Sequence, residues 1–168
     1  MVENLQETKY GVKMKAIIFD IDGVILKTDF ILKEIEELEL KDNDKWDYFH
    51  AKCNNEQVTS NKGICDLISK YLTLESISDY YVVFSTAREE VVRWQTLNKL
   101  NSVIDGIIKL GNSRLYMRKQ GDTRPAYIIK QEHLKEIQEK YEVVLVFDDN
   151  LENCKMYKEN GITALNII

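Results

Sequence analysis

Asp20 and Asp22 stand two residues apart in Phe19-Asp20-Ile21-Asp22-Gly23-Val24, directly after the apolar run AIIF at 16–19. Carboxylates this close repel one another unless a cation lies between them, so the pair invites a hard divalent ion such as Mg2+. Gly23 permits the tight turn that lets both carboxylates and a backbone carbonyl face one point. A bare Asp-x-Asp reads equally well as an Asx-type turn closing a strand. Four apolar residues followed by Asp-x-Asp-Gly is a far more specific pattern. A second acidic pair, Asp148-Asp149, follows the apolar run VVLVF at 143–147; alone it reads as a cap for the next helix. Between the two pairs, Val83-Phe84-Ser85-Thr86-Ala87-Arg88 runs from apolar residues into two hydroxyls and a guanidinium. A hydroxyl and the first amides of a helix can hold phosphate oxygens, and Arg88 can add a charge-assisted bond. Taken alone, Ser85 or Thr86 is an N-cap for a helix beginning near Glu89.

Something must bring these three segments together. The runs at 16–19, 82–84 and 143–147 have the continuous apolarity of strands buried on both faces of a parallel sheet, with weaker versions at 107–108 and 164–168. Helical spacing falls between them: Ile31, Ile35, Leu38; Ile64, Leu67, Ile68, Tyr71; Val91, Trp94, Leu97, Leu100; Leu134, Ile137, Tyr141; and Cys154 with Tyr157. Strands alternating with helices specify the α/β class, a three-layer Rossmann-like parallel sheet. Residues 28–80 exceed a simple crossover and read as a small helical insertion after the first strand. Residues 1–13 lack periodicity and are expected to be a poorly ordered extension, with 14–168 forming a single domain. In an open parallel sheet, ligands bind outside the carboxyl ends of the strands. Asp20, Asp22, Thr86, Arg88, Asp148 and Asp149 all fall there, and that coincidence favours function over capping at each place.

The 168 residues suit one core, and 44% hydrophobic residues with a single proline exclude disordered and collagen-like classes. No apolar run approaches the roughly 20 residues of a membrane span, so a soluble, cytoplasmic protein with no membrane partner is expected. Cys53, Cys65 and Cys154 form no CxxC pair and read as buried thiols. His50 and His133 are the only histidines, so any metal must be held by oxygen. Charge is uneven: residues 29–47 carry eight acids against three lysines, whereas 109–130 carry six bases and one acid, Asp122. The basic run is either a solvated face or a place for an anion. Trp46, Tyr48, Phe49 and His50 read as the core of the insertion or as a stacking surface at the mouth of a site.

The order Asp-x-Asp-Gly, strand-Ser/Thr-x-Arg, Lys, Asp-Asp resembles the haloacid dehalogenase (HAD) superfamily of phosphohydrolases over residues 14–168. Two stretches, LYMRKQGDTRPAYIIK at 115–130 and FDDNLENCKMY at 147–157, are similar to the 3′-phosphatase domain of phage polynucleotide kinase-phosphatase. The resemblance implies that Asp20 attacks phosphorus to give an aspartyl-phosphate, and that Asp22 is the general acid and base. It implies Mg2+ held by Asp20, the Asp22 backbone carbonyl and Asp148, with Asp149 in support. Thr86 and Lys130 would bind phosphate oxygens, and Arg88, Arg118 and Arg124 would contact the substrate. The sequence departs from that family at Ala126, where an Asp is common, at Asn150 and Tyr157, and in having no arginine before Arg88. The substrate class implied is a phosphorylated nucleic-acid end or a nucleotide, most simply a 3′-phosphate, with no obligate protein partner evident. The alternatives are a phosphatase for 5′-nucleotides or other small phosphometabolites, and a catalytically idle nucleic-acid-binding module.

Overall fold

The computed structural model describes residues 13–75, 77–105 and 110–168. In chain order its elements are β1 (Lys15–Phe19), β2 (Leu26–Lys27), α1 (Asp29–Glu37), α2 (Asp42–Lys52), β3 (Thr59–Ser60), α3 (Lys62–Leu74) and β4 (Tyr80–Glu89). There follow α4 (Arg93–Val103), β5 (Leu115–Arg118), α5 (Ala126–Lys140), β6 (Glu142–Asp148), α6 (Leu151–Glu159) and β7 (Thr163–Asn166). Five strands form one parallel sheet in the order β5-β4-β1-β6-β7.

The apolar runs form strands because a two-sided burial is available to them. Along β1, Ile17 and Phe19 enter a core shared with α1, α3 and α4, while Ala16 and Ile18 enter a second core shared with α5 and α6. The sheet is therefore the middle of three layers, as the alternation of elements predicts. The chain adds β4 and β5 on one side of β1, then crosses back through α5 to add β6 and β7 on the other. Strand order thus reverses at β1, and the carboxyl ends of β1 and β6 flank the crevice where such sheets take ligands.

Between β1 and β4, the strands β2 and β3 pair antiparallel as a short ribbon. Helices α1 and α2 lie between those two strands in the chain, with Ile31, Ile35 and Phe49 buried. Helix α3 packs Cys65, Ile68 and Leu72 into the same core as Val82 and Phe84 of β4. The fifth strand of the sheet is β5, whose Leu115 and Met117 are buried; the weak strand expected at 107–108 lies outside the described residues, as do residues 1–12 of the expected extension over 1–13, whose last residue, Lys13, donates to the Gln138 carbonyl at 2.9 Å. All three cysteines are free and buried. Among the described residues no helix is long and apolar enough to cross a membrane.

Arg114, counted above in the basic run, is a structural residue and not an anion site. It forms a two-pronged pair with Glu75, at 2.6 and 2.7 Å, and also donates to the Val82 carbonyl at 3.1 Å. The same Glu75 carboxylate accepts the Val82 N–H at 2.9 Å, so one ion pair joins the end of α3, β4 and the segment entering β5. Both side chains are about nine-tenths buried, which makes removal of one partner costly because the other charge is left unpaired. Glu75→Ala is expected to lower unfolding free energy by about 3–5 kcal/mol in a urea titration. A loss below about 1 kcal/mol, the range of a surface pair, would contradict this role.

Candidate active site

The site begins with backbone register. Phe19 pairs with Phe147 of β6 and Phe84 of β4, and the Phe19 and Phe147 rings stack at 4.7 Å, nearly coplanar. The Asp20 N–H donates to the Phe147 carbonyl at 2.9 Å. That register sets Asp20 beside Asp148 at the sheet's carboxyl edge. Lys130, from the second turn of α5, reaches between them, its Nζ 2.9 Å from Asp20 Oδ1 and 2.6 Å from Asp148 Oδ2.

Lys130 is only 1% exposed, a burial that lysine tolerates only when paired. Burial alone would lower its pKa, but the carboxylates of Asp20 and Asp148 outweigh that and raise it. Asp20 moves upward, well above the usual carboxylate range. Burial is the main cause, with Asp148, Asp22 and Asp149 adding to it and Lys130 opposing. Asp149 is pushed up to about 6, first by burial and then by Asp148. One ammonium does not balance these acids.

The donor set fits a hard cation. Oxygens of Asp20, Asp148 and Asp149 lie within 4.8 Å of one another, and neither histidine nor cysteine belongs to the group. Asp148 Oδ1 is held by the Asn153 amide at 2.9 Å and the Asn150 N–H at 3.0 Å. The Asn153 Oδ1 has no hydrogen-bond partner although it is buried, alone among the described side-chain polar atoms. An unsatisfied acceptor beside a cluster of acids suits the water carried by a hydrated Mg2+. Gly23, at φ +78°, closes the turn against this cluster: a Cβ there would lie 2.0 Å from Asp149 Oδ2. Glycine is required both by the left-handed backbone and by the approach of that carboxylate.

Asp22 is absent from the acid cluster because Arg88 takes its carboxylate. Arg88 Nε and NH2 donate to the two Asp22 oxygens at 2.8 and 2.7 Å. Its remaining donors go to Asn54 Oδ1 at 2.7 Å, Thr96 Oγ1 at 3.2 Å and the Cys53 carbonyl at 3.2 Å. A guanidinium has five N–H groups, and all five are committed, with the side chain 1% exposed. The structure therefore gives Arg88 the task of holding Asp22 and leaves it no donor for a substrate. Thr86 Oγ1 accepts the Arg88 N–H at 3.2 Å, which leaves its hydroxyl proton for another acceptor.

The other two arginines divide. Arg124 forks onto Asp122 and Glu132, so its charge is offset. Arg118 is fixed by the carbonyls of Ala87, Asp122 and Arg124 through Nε and NH1. Its NH2 makes no hydrogen bond among the described residues. The run at 109–130 is accordingly much less basic in space than in sequence, and Lys109 lies outside the described residues.

Residues 14–168 match the family model described as the polynucleotide kinase PNKP phosphatase domain. The chain belongs to that family. It is a phosphatase of the HAD superfamily, a phosphomonoester hydrolase. Its fold is similar to a chain in the structure of a Pnkp1/Rnl/Hen1 complex, at 24% identity and TM-score 0.64, over 99% of this chain and 50% of that one. It is also similar to a class C acid phosphatase from Bacillus anthracis solved with tungstate bound, at 15% identity and TM-score 0.67, over 95% and 68% of the two chains. A haloacid dehalogenase-like hydrolase from Streptococcus pneumoniae gives 14% identity and TM-score 0.59, over 92% and 84%. The chain spans about half the length of the Pnkp1/Rnl/Hen1 chains it matches. No curated protein sequence matches it.

Beneath the acid cluster runs a buried polar relay that residue types alone did not single out. His133, one turn beyond Lys130 on α5, contacts the Met117 carbonyl through Nε2 at 3.1 Å and Ser85 Oγ through Nδ1 at 2.9 Å. A carbonyl can only accept, so Nε2 carries the proton, and the Ser85 hydroxyl donates to Nδ1. Tyr157 hydrogen-bonds Ser85 in turn. The i, i+3 spacing of Lys130 and His133 was the available clue, since both must face the sheet. Burial lowers the His133 pKa to about 4. The neutral ring therefore contributes stability that is complete above its ordinary value near 6.5 and is lost as pH falls from there toward 4. His133→Asn keeps an acceptor for Ser85 without a titrating ring. Between pH 7 and 4.5 its urea midpoint should fall less than that of the wild type; equal falls would contradict the assignment.

Proposed function

We propose that this protein is a Mg2+-dependent phosphatase that works through an aspartyl-phosphate and removes a 3′-phosphate from a polynucleotide or nucleotide. The observation that carries the reading is the buried triad Asp20–Lys130–Asp148 at the point where strand order reverses. It is an arrangement with one carboxylate placed for attack and a cation beside it to admit a dianion.

In the first step an Asp20 oxygen attacks phosphorus, the bond from phosphorus to the substrate's 3′-oxygen breaks, and Asp22 gives that oxygen a proton. In the second, water attacks phosphorus, its proton passes to Asp22, and the bond to Asp20 breaks to release inorganic phosphate. The Arg88 fork occupies both Asp22 oxygens and fixes the direction of the carboxyl group; donating a proton to the leaving oxygen requires the fork to loosen. Lys130 and the Thr86 hydroxyl hold the phosphoryl oxygens. Asp20, Asp148 and the Asp22 carbonyl would hold Mg2+, with Asp149 in support, and the ion would supply charge neutralisation at the phosphoryl group. Arg118, whose NH2 is uncommitted, is the arginine left to meet the substrate. Helices α1 and α2 serve as a small cap over this edge of the sheet.

The test is phosphate release from one oligonucleotide phosphorylated at either its 3′ or its 5′ end, in Mg2+ or in EDTA, with Asp20→Asn as control. Turnover is expected on the 3′-phosphate, in Mg2+ only, and reduced about 10^4-fold or more in the variant. Equal rates at the two ends would overturn the 3′ assignment. Full activity in chelator would overturn the metal, and wild-type activity in Asp20→Asn the mechanism.

A further inference from the structure

The Arg88 partners lead out of the catalytic site. Asn54, which accepts from Arg88 at 2.7 Å, also lines a groove of about 600 Å³ between the end of α2 and the side of α4. One wall is His50, Asn54, Asn55 and Glu56, and the other is Gln95, Asn98, Lys99 and Ser102. The α4 residues recur at i, i+3, i+4 and i+7 and so form one continuous stripe. At 1.5 Å per residue that stripe runs about 10 Å from Gln95 to Ser102. A stack of bases rises about 3.4 Å per nucleotide, which leaves room for at least two. The end near Gln95 faces the catalytic edge, because α4 starts where β4 delivers Arg88.

The lining is chosen for neither apolar packing nor charge. Four of its residues carry amides, each with a donor and an acceptor, the pairing that base edges present. The Gln95 and Asn98 amides are exposed and make no hydrogen bond among the described residues. Lys99 is the lining's one strong cation, and it donates to the Asn55 carbonyl at 3.0 Å. The chain has two tryptophans, and both are exposed, Trp46 at 46% and Trp94 at 70%, although neither lines the groove itself. Trp46 stands one helical turn before the lining residue His50, and Trp94 one turn before Asn98, so helical spacing puts each indole on the side of its helix that bears a groove residue. Indoles are usually well buried, and two left in water on facing helices are suited to stacking.

We propose that this groove binds the bases that precede the phosphorylated end of a single-stranded nucleic acid. The inference rests on the 3′-phosphatase reading and makes a strand, not a free nucleotide, the better substrate. Stacking on Trp94 and Trp46 supplies binding, and the amides of Gln95 and Asn98 meet the base edges.

Both tryptophans report on the groove, so intrinsic fluorescence titrated with a 3′-hydroxyl pentanucleotide measures binding without turnover. Saturable quenching is expected. Trp94→Ala should weaken binding about 5- to 150-fold, the equivalent of roughly 1–3 kcal/mol for one stacked base. A Gln95→Ala/Asn98→Ala double variant should weaken it with both indoles intact. In turnover, Trp94→Ala should lower kcat/KM for a 3′-phosphorylated pentanucleotide far more than for p-nitrophenyl phosphate. No quenching, together with equal losses on both substrates, would overturn the groove while leaving the phosphatase. Quenching by the oligonucleotide with no release of its 3′-phosphate would overturn the substrate reading and keep the groove.

Discussion

A lysine buried between two aspartates is the interaction on which this molecule turns. Lys130 is the counterion that lets Asp20 and Asp148 stand side by side inside the protein, and its placement constrains three layers at once. β1 and β6 must be neighbours in the register that aligns Phe19 with Phe147. Helix α5 must lie on the face of Ala16 and Ile18, with its second turn level with the strand ends. His133, one turn further along, fixes that level by bonding to β4 through Ser85 and to β5 through Met117. Isolated buried ions are prohibitively costly, so the charge network and the fold are mutually dependent. The acid left over, Asp149 beside Asp20 and Asp148, is what a bound dication would offset.

On the β4 side the same logic uses arginine. Arg88 closes its five donors on Asp22, Asn54, Thr96 and the Cys53 carbonyl. Two of those acceptors sit where α2 ends, so the segment between β2 and β3 is wired to the carboxyl edge of the sheet through one buried guanidinium. A shift of α2 would change what holds Asp22. The acidic turn, the inserted helices and the groove beside α4 therefore form one connected surface.

What was legible in the sequence was what depends on neighbours in the chain. Four apolar residues ending in Asp20, and five ending at Phe147 before Asp148, mark buried strands and the acids at their exits, and the structure brings those acids together. The strand β5 was not legible: Leu115 and Met117 are two apolar residues in a short basic stretch, and only pairing with β4 makes them a strand. The basic run at 109–130 misled for a related reason. Charge counted along a chain ignores partners, and Arg114 and Arg124 find theirs in Glu75, Asp122 and Glu132. Arg88 was recognised as important, but its partners Asp22 and Asn54 lie 66 and 34 residues away, and no local pattern indicates that it is saturated. Helical spacing around Trp94 likewise suggested a core residue, whereas the buried face of α4 is Thr96, Leu97 and Leu100.

The central claim is that Asp20 becomes covalently phosphorylated, and it can be read directly. Enzyme mixed with a 3′-phosphorylated oligonucleotide in Mg2+ is quenched in acid during the first turnover, reduced with borohydride and mapped by peptide mass spectrometry. An acyl-phosphate at Asp20 is reduced to homoserine, so conversion at position 20 alone, dependent on substrate, is the predicted result. An unmodified Asp20 throughout a turning-over reaction, or conversion at Asp22, Asp148 or Asp149 in its place, would contradict the account.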